Sequence, residues 1–316
     1  MLLLSENDVR QVLTIDMALE AVEAAFRSVA LDEAVNVPRA RAQTDHAMMH
    51  AMSAASKTLG YLGYKVYVTT RKGSHFHVGL FDGKSGDLLT LMRADYLGQV
   101  RTGAASGLAT RCMARADAQT VGLFGTGKQA RTQLLAVAHV RSLTKASVYS
   151  PNEGHRRLFA AEMSGELGIE VEPVAQPQLA ATNQDIVITA TTSREPVLHG
   201  DWLSPGTHLN VIGSNFLGKA EIDAATVRRC AVIVVDNKDQ ARMEAGDFVK
   251  ALEDGALHWS DVTELQFVLV GRRAGREHPE DITLFKSVGI ALEDVAVAGR
   301  VYEAAKAAGL GQEVEW

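Results

Sequence analysis

The stretch Val121–Ala130, VGLFGTGKQA, decides the fold. The apolar run Val121-Gly122-Leu123-Phe124 leads straight into Gly125-Thr126-Gly127-Lys128-Gln129-Ala130, and a helix-like segment from Arg131 to Val140 follows without a gap. Between a strand and a helix, this spacing is the G-x-G-x-x-G/A pattern. Gly125 permits the tight turn, Gly127 lets the backbone approach a pyrophosphate, and Ala130 is small enough for the helix to pack on the strand. Free N–H groups and the positive helix end then face the phosphates. The same glycines alone would be a turn that binds nothing. The flanking strand and helix, and a second strand at Ala146–Tyr149, favour dinucleotide binding.

From Asp117 onward strands and helices alternate. Strands are expected at Thr120–Phe124, Lys145–Tyr149, Ile169–Val174, Ile186–Thr189, His208–Ile212 and Val232–Val235. Helices are expected at Lys128–Ala138, Gly154–Leu167 and Ile222–Arg229, with a short helix or loop at Leu179–Asn183. This rhythm implies an α/β, Rossmann-type, doubly wound parallel sheet. A NAD-type domain often ends its second strand with an acid for the ribose hydroxyls. Here Ser150-Pro151-Asn152 stand there, Glu153 comes late, and Arg156 and Arg157 follow a turn on. The cofactor is NAD or NADP, and the missing acid leans towards NADPH. Thr189–Ser193 ends the fourth strand and Val211–Asn215 the fifth, where ligands lie in such sheets. The expected cofactor contacts are Gly125, Thr126, Gly127, Gln129, Ala130, Ser150, Asn152, Arg156, Thr191, Ser193, Gly213 and Ser214, with Ser214 and Asn215 aimed at the crevice.

The first hundred residues read differently. Ser5 with Asp8 makes a capping box and Thr14 a second cap. Met17, Ala21, Ala24, Ala25, Phe26 and Val29 give a helical apolar face. Val35–Gln43 holds Pro38, which places it at a sheet edge. Arg39 and Arg41, two apart, share one face of it. Met48–Ala55 reads as a strand and turn, and Leu62–Thr70 as a strand with Lys65 inside. That lysine either faces outward or is buried and must find a counter-charge. His75–Asp82 and Leu88–Arg93 form a hairpin about Asp82–Gly86. In Ala94–Met113, Arg101 lies near the start of a small-residue helix, suited to holding an anion beside the backbone N–H groups. From Thr283 a strand-like start breaks at Gly289 and an Ala-rich helix follows. It could cross back to the first half and ends at Gly309 and Gly311.

Composition narrows the function classes. The 316 residues suffice for two domains, with 47% apolar and 22% charged residues in the range of globular proteins. A net charge of -6 without a basic block argues against nucleic acid. No apolar run approaches the ~20 residues that span a bilayer, and the N-terminus is too short and too soon acidic for a signal peptide. Cys112 and Cys230 form no disulfide framework or zinc signature, which fits a reducing, cytoplasmic setting and no metal.

With the strand around Lys65, the segment Val100-Arg101-Thr102-Gly-Ala-Ala, the GTGKQA turn and the closing Thr-Leu-Phe-Lys-Ser-Val-Gly-Ile-Ala-Leu-Glu-Asp, most of the chain resembles the ornithine cyclodeaminase/mu-crystallin family. The resemblance implies a substrate-binding and dimerisation domain at 1–114, completed by a C-terminal helix at 290–316, and a Rossmann domain at 115–289. It implies a homodimer and a small amino- or imino-acid substrate. Lys65, Arg101 and Arg41 would bind that substrate, with Arg39 as the rival of Arg41, and Asn215 would join them as a catalytic group. Ornithine cyclodeaminases carry an aspartate after the fifth Rossmann strand, where this chain has Ser214-Asn215. Asparagine cannot act as a general base. The expected reaction is therefore NAD(P)H-dependent reduction of a small α-imino acid, cyclic like pyrroline-2-carboxylate or linear like iminosuccinate, or its reverse. The alternatives are ornithine cyclodeaminase proper and a non-catalytic binding protein.

Overall fold

The computed structural model describes residues 1–315. The chain divides into a unit of Met1–Ala104 with the residues from Gly289 onward, and a unit of Ala105–Val288. The opening part forms β1 (Leu2–Leu4), α1 (Glu6–Val12), α2 (Ile15–Ala30), β2 (Ala34–Gln43), β3 (Ala47–Ser56), β4 (Tyr61–Thr70), β5 (Gly73–Asp82), β6 (Leu88–Arg93) and α3 (Asp95–Met113), the last running into the second unit. There follow β7 (Thr120–Phe124), α4 (Lys128–Val140), β8 (Lys145–Tyr149), α5 (Glu153–Leu167), β9 (Glu170–Pro173), β10 (Ile186–Thr189) and β11 (His208–Val211). Then come α6 (Ala224–Arg229), β12 (Cys230–Val235), α7 (Lys238–Glu244), α8 (Gly246–Glu253), β13 (Val262–Glu264), α9 (Leu265–Leu269) and β14 (Ile282–Lys286). The first unit is completed by α10 (Ala291–Ala307) and β15 (Gln312–Glu313).

In the first unit the caps form as the sequence requires. Ser5 Oγ accepts from the Asp8 amide while the Asp8 carboxylate accepts from the Ser5 amide, and Thr14 Oγ1 accepts from the Met17 amide. Ala21, Ala25 and Phe26 of α2 are buried. Met17, Ala24 and Val29 are only half-buried, because the helix is turned to bring Ala18, Leu19 and Val22 into the core. Seven strands make one sheet in the order β15-β1-β6-β5-β4-β3-β2. β2 is an edge strand, as Pro38 demands, and its register against β3 shifts between Val37 and Ala40, so Pro38 and Arg39 lie in a bulge. β3 to β6 form an antiparallel meander, with Lys65 opposite Met52 and Val78. α10 packs across β2 to β5 and against α2.

The second unit has eight strands, β13-β12-β14-β11-β10-β7-β8-β9, each pair parallel. The chain runs outward one way through β8 and β9, then returns beside β7 with β10. The Gly125 turn therefore leaves β7 at the point where strand order reverses, the ligand crevice of such sheets. Two strands exceed the expected six. β13 has only three residues, and β14 is the strand-like start seen before Gly289. One face of this sheet packs Phe124, Val187, Leu209 and Leu284 into the core, and the other packs Val121, Leu123, Ile186 and Ile188. Buried on both sides, these strands read as unbroken apolar runs. Among the described residues no helix is long and apolar enough to cross a membrane, and no His/Cys/Asp/Glu group could hold a metal ion.

Candidate active site

In the first unit, the sheet face covered by α10 collects charge. Lys65 is 2% exposed, and its Nζ donates to Asp294 Oδ1 at 2.7 Å. Arg101 donates from Nε to the same oxygen at 3.0 Å and from Nη1 to Glu293 Oε2 at 2.6 Å. Both acids are fully buried in the first turn of α10, where the helix dipole favours anions. Gly98, one turn before Arg101 on α3, leaves the space that the ammonium fills, since a Cβ there would come within 3.0 Å of Lys65 Nζ. Burial is the main force on Lys65 and lowers its pKa from 10.5 to about 8. Asp294 opposes that shift, while Arg101 and Arg39 add to it. The sequence left Lys65 open between an outward and a buried pose; it is buried and paired.

The two arginines of β2 separate. Arg39 is buried and donates from Nη2 to the Gly289 carbonyl at 2.9 Å. Arg41 is half-buried, opposite His50 in the β2–β3 register. Arg39 bears on Lys65, and through Gly289 it lies beside Arg101, whereas Arg41 bears on His50. His50 stacks on Tyr67 at 4.1 Å, and Tyr67 on Phe76 at 4.9 Å. Burial first, then Arg41 and Arg39, hold the His50 ring down to about 4, so it is neutral at physiological pH. The expectation for Arg101 also changes. α3 begins at Asp95, so Arg101 lies well inside the helix, where backbone N–H groups are already bonded. Its anions are Glu293 and Asp294.

In the second unit, Gly125 has φ +108°, a conformation that favours glycine. Gly127 caps α4 with no side-chain hydrogen bond, and the first turn of α4 carries no acid. A Cβ on Gly127 would meet nothing within 4 Å, so the space above this helix end is open, as a pyrophosphate needs. Thr126 and Gln129 flank it half-buried, and Ala130 is fully buried against the sheet. At the tip of β8, Ser150 is buried, and its carbonyl accepts from Arg156 Nη1 at 3.2 Å. Asn152 caps α5 by accepting from the His155 amide, and Glu153 turns to Arg157 at 2.7 Å.

At the tips of β10 and β11 the structure adds a residue that sequence reading missed. The Glu221 carboxylate accepts from the Thr191 amide at 2.6 Å, the Gly213 amide at 2.7 Å and Thr189 Oγ1 at 2.9 Å. Gly213 is a point of close approach, as expected, but what approaches it is Glu221 and the Thr191 carbonyl. Ser193 donates through its amide to Thr191 Oγ1 and through its hydroxyl to the Glu195 carbonyl. Ser214 departs from expectation. It is buried, and its hydroxyl donates to the Lys219 carbonyl at 3.2 Å, so it closes the loop on itself and does not face a crevice. Asn215 is half-buried. Glu293, Asp294 and Glu221 had one legible signal each or none. The first two are acids inside an Ala-rich helix; nothing around Glu221 marks it.

A family model described as "Ornithine cyclodeaminase/mu-crystallin family" matches residues 1–309. Among solved structures, the Delta(1)-pyrroline-2-carboxylate reductase of Thermococcus litoralis, in complex with NADH and L-proline, is 36% identical with a TM-score of 0.95, over 99% of this chain and 100% of that one. An archaeal alanine dehydrogenase dimer with bound NAD is 32% identical at TM-score 0.94, over 100% of this chain and 99% of that one. The iminosuccinate reductase of Paracoccus denitrificans in complex with NAD+ is 29% identical at TM-score 0.94, with the same coverage.

Proposed function

We propose, on the premise that this chain belongs to the ornithine cyclodeaminase/mu-crystallin family, that it is a nicotinamide-dinucleotide-dependent reductase of a small α-imino acid, or runs the same conversion from the amino acid. The observation that carries the reading is the buried set Lys65, Arg39 and Arg101 gathered at the start of α10. Guanidinium forks match carboxylates, and so Arg39 and Arg101 bind the substrate α-carboxylate, with Glu293 and Asp294 fixing the Arg101 fork. Arg41 stands a row away, beside His50, and shapes the wall next to them. Lys65, at about 8, keeps a proton at neutral pH and yields it readily, which suits it to protonate the reacting nitrogen. Asn215, the catalytic group expected in the second unit, can donate a hydrogen bond but cannot take up a proton. An ammonia-releasing cyclisation that needs a carboxylate there is therefore the weaker reading.

The second unit fits the cofactor. Gly125, Thr126, Gly127, Gln129 and Ala130 hold the pyrophosphate at the uncapped end of α4, Ser150, Asn152 and Arg156 hold the adenosine end, and Thr191, Ser193 and Gly213 hold the nicotinamide end. Bound there, the dinucleotide supplies the reducing equivalents. We assign NADPH above NADH because no acid stands at the tip of β8 and Arg156 lies beside Ser150. The chain is proposed to be a homodimer. Val35 and Leu62 lie in one cross-strand row with Ala55, and both are exposed with nearby Val37 and Met49, an apolar patch of the kind that marks an interface. The archaeal relative is itself a dimer.

The test is NADPH and NADH oxidation over preformed cyclic imines, iminosuccinate, and α-keto acids with ammonia or methylamine. Turnover of an imine supports the reading. Ammonia from L-ornithine with no net change in dinucleotide would replace it with cyclodeamination. Dinucleotide binding with no turnover of any of these would replace it with a binding protein.

A further inference from the structure

Among the ionisable side chains of the second unit that are sealed from water are Glu221 and Lys286 at 0% exposure and Asp247 at 2%. Lys286 ends β14, its backbone paired with Val211, the last residue of β11. Its ammonium donates to the Ser214 carbonyl at 2.6 Å and lies 2.8 Å from Asp247 Oδ2. The other oxygen of Asp247 accepts from the Glu221 amide at 2.6 Å. The Glu221 carboxylate in turn ties Thr189, Thr191 and Gly213 together. Gly246, at the start of α8, fits against the carbonyls of Phe216, Leu217 and Lys219, with no room for a Cβ. The Gly213–Glu221 loop is thus fastened at both ends, and Asn215 rides on it.

A buried ion cluster of this kind is a poor way to gain stability, since apolar residues of equal volume often serve as well. Burial first and then Asp247 push the Glu221 carboxyl up, and Lys286 and the Thr191 hydrogen bonds oppose them. What the cluster provides is a single loop geometry at the strand ends.

We infer that Lys286 is a positioning residue for the proposed reduction, setting with Asp247 and Glu221 the place of Asn215 and of the Thr191 and Gly213 backbone; this rests on reading those strand ends as the nicotinamide end of the cofactor site. The pyrophosphate turn has its own tie to β8, its Gly125 amide donating to the Tyr149 carbonyl at 2.9 Å, although it also packs on Ala190 and Thr191. Loss of Lys286 should therefore disturb reaction geometry more than cofactor affinity.

The experiment uses full-length Lys286→Met, with Asp247→Asn as the milder variant that keeps the Oδ1 acceptor and removes the charge. In both, hydrogen exchange of the cofactor-free protein should quicken across 213–222 and stay unchanged in β7 and α4. Misplacement of reacting groups by about 1 Å costs ~100-fold, so kcat should fall by about that factor, while the NADPH dissociation constant from fluorescence titration moves less than about threefold. Either folded variant with wild-type kcat, or an equal loss of kcat and dinucleotide affinity with exchange raised throughout the second unit, overturns the inference. Wild-type protein that binds no dinucleotide overturns instead the functional reading beneath it.

Discussion

Replacing Asp294 by Asn removes the one carboxylate that both Lys65 and Arg101 touch, and the size of the loss can be bounded. Lys65 already sits at about 8 instead of 10.5, which corresponds to roughly 3 kcal/mol of unfavourable free energy carried by the native protein. At pH 7 an ordinary lysine can escape any buried site by shedding its proton, at about 5 kcal/mol. Lys65 can therefore add no more than about 2 kcal/mol to the cost of the substitution. Breaking a buried ion pair from one side costs ~3–5 kcal/mol in all. The remainder falls on Arg101, which has no such escape. A net loss near ~3 kcal/mol lowers the melting temperature by roughly 5–10 °C. The pH dependence is more diagnostic. In the native protein Lys65 bears its full burial penalty below about pH 8, and stability rises between about 8 and 10.5, where only the unfolded chain keeps the proton. Without Asp294, which raises that pKa, the start of that rise moves to lower pH, and with it the alkaline limb of kcat/KM. Thermal melts and kcat/KM measured across pH on the identified imine check both. An alkaline limb that stays where it was, or a melting temperature within about 2 °C of the native one, would refute the placement of Asp294 as the anion that holds Lys65 charged.

Gly127→Val should leave the fold intact, because its side chain enters open space, yet weaken dinucleotide binding by ~100-fold, about 2.7 kcal/mol. Gly125→Ala should do the opposite and cost stability first, about 1–3 kcal/mol from its positive φ; thermal melts and fluorescence titration separate the two. Arg39→Ala should lower kcat/KM by roughly 100-fold as a lost buried charge contact, and Arg41→Ala by about tenfold or less. The reverse ranking in steady-state kinetics would restore Arg41 as the carboxylate's partner. Arg156→Ala should weaken NADPH by ~tenfold and leave NADH unchanged; equal effects on both in titration would end the assignment of NADPH.

The second unit was the more legible because its parallel strands are buried on both faces and its glycine turn has a fixed chemistry. Thr120–Phe124, Lys145–Tyr149 and Ile186–Thr189 match the structure residue for residue. β13 escaped because three residues carry no periodicity, whereas β14 is the strand-like start read from Thr283. In the first unit the edge strand followed from Pro38, but the bulge that separates Arg39 from Arg41 did not, since a shift of register leaves the residues of the strand unchanged. The pose of Lys65 was undecidable for a related reason. Its counter-charge lies 229 residues away, and no local pattern can report such a pairing.

In the structure that counter-charge belongs to a pattern at a scale longer than one element. Every residue from Ile282 to Gly299 is buried, through β14, the turn at Gly289 and the first half of α10. Charged side chains are almost never fully buried unless paired, so each one inside such a run implies a partner. The run holds Lys286, Glu293 and Asp294. Lys286 meets Asp247 and the Ser214 carbonyl, Glu293 meets Arg101, and Asp294 meets Lys65 and Arg101. One continuous segment therefore gives the first unit the anions that orient its cations, and the second unit the cation that fastens the Asn215 loop. That division explains why the apolar run contains charges at all. A segment needed only for packing would be as stable with leucine or methionine in their place, whereas cations that must keep one orientation in the first unit, and a loop that must keep one geometry in the second, each need a fixed ionic partner.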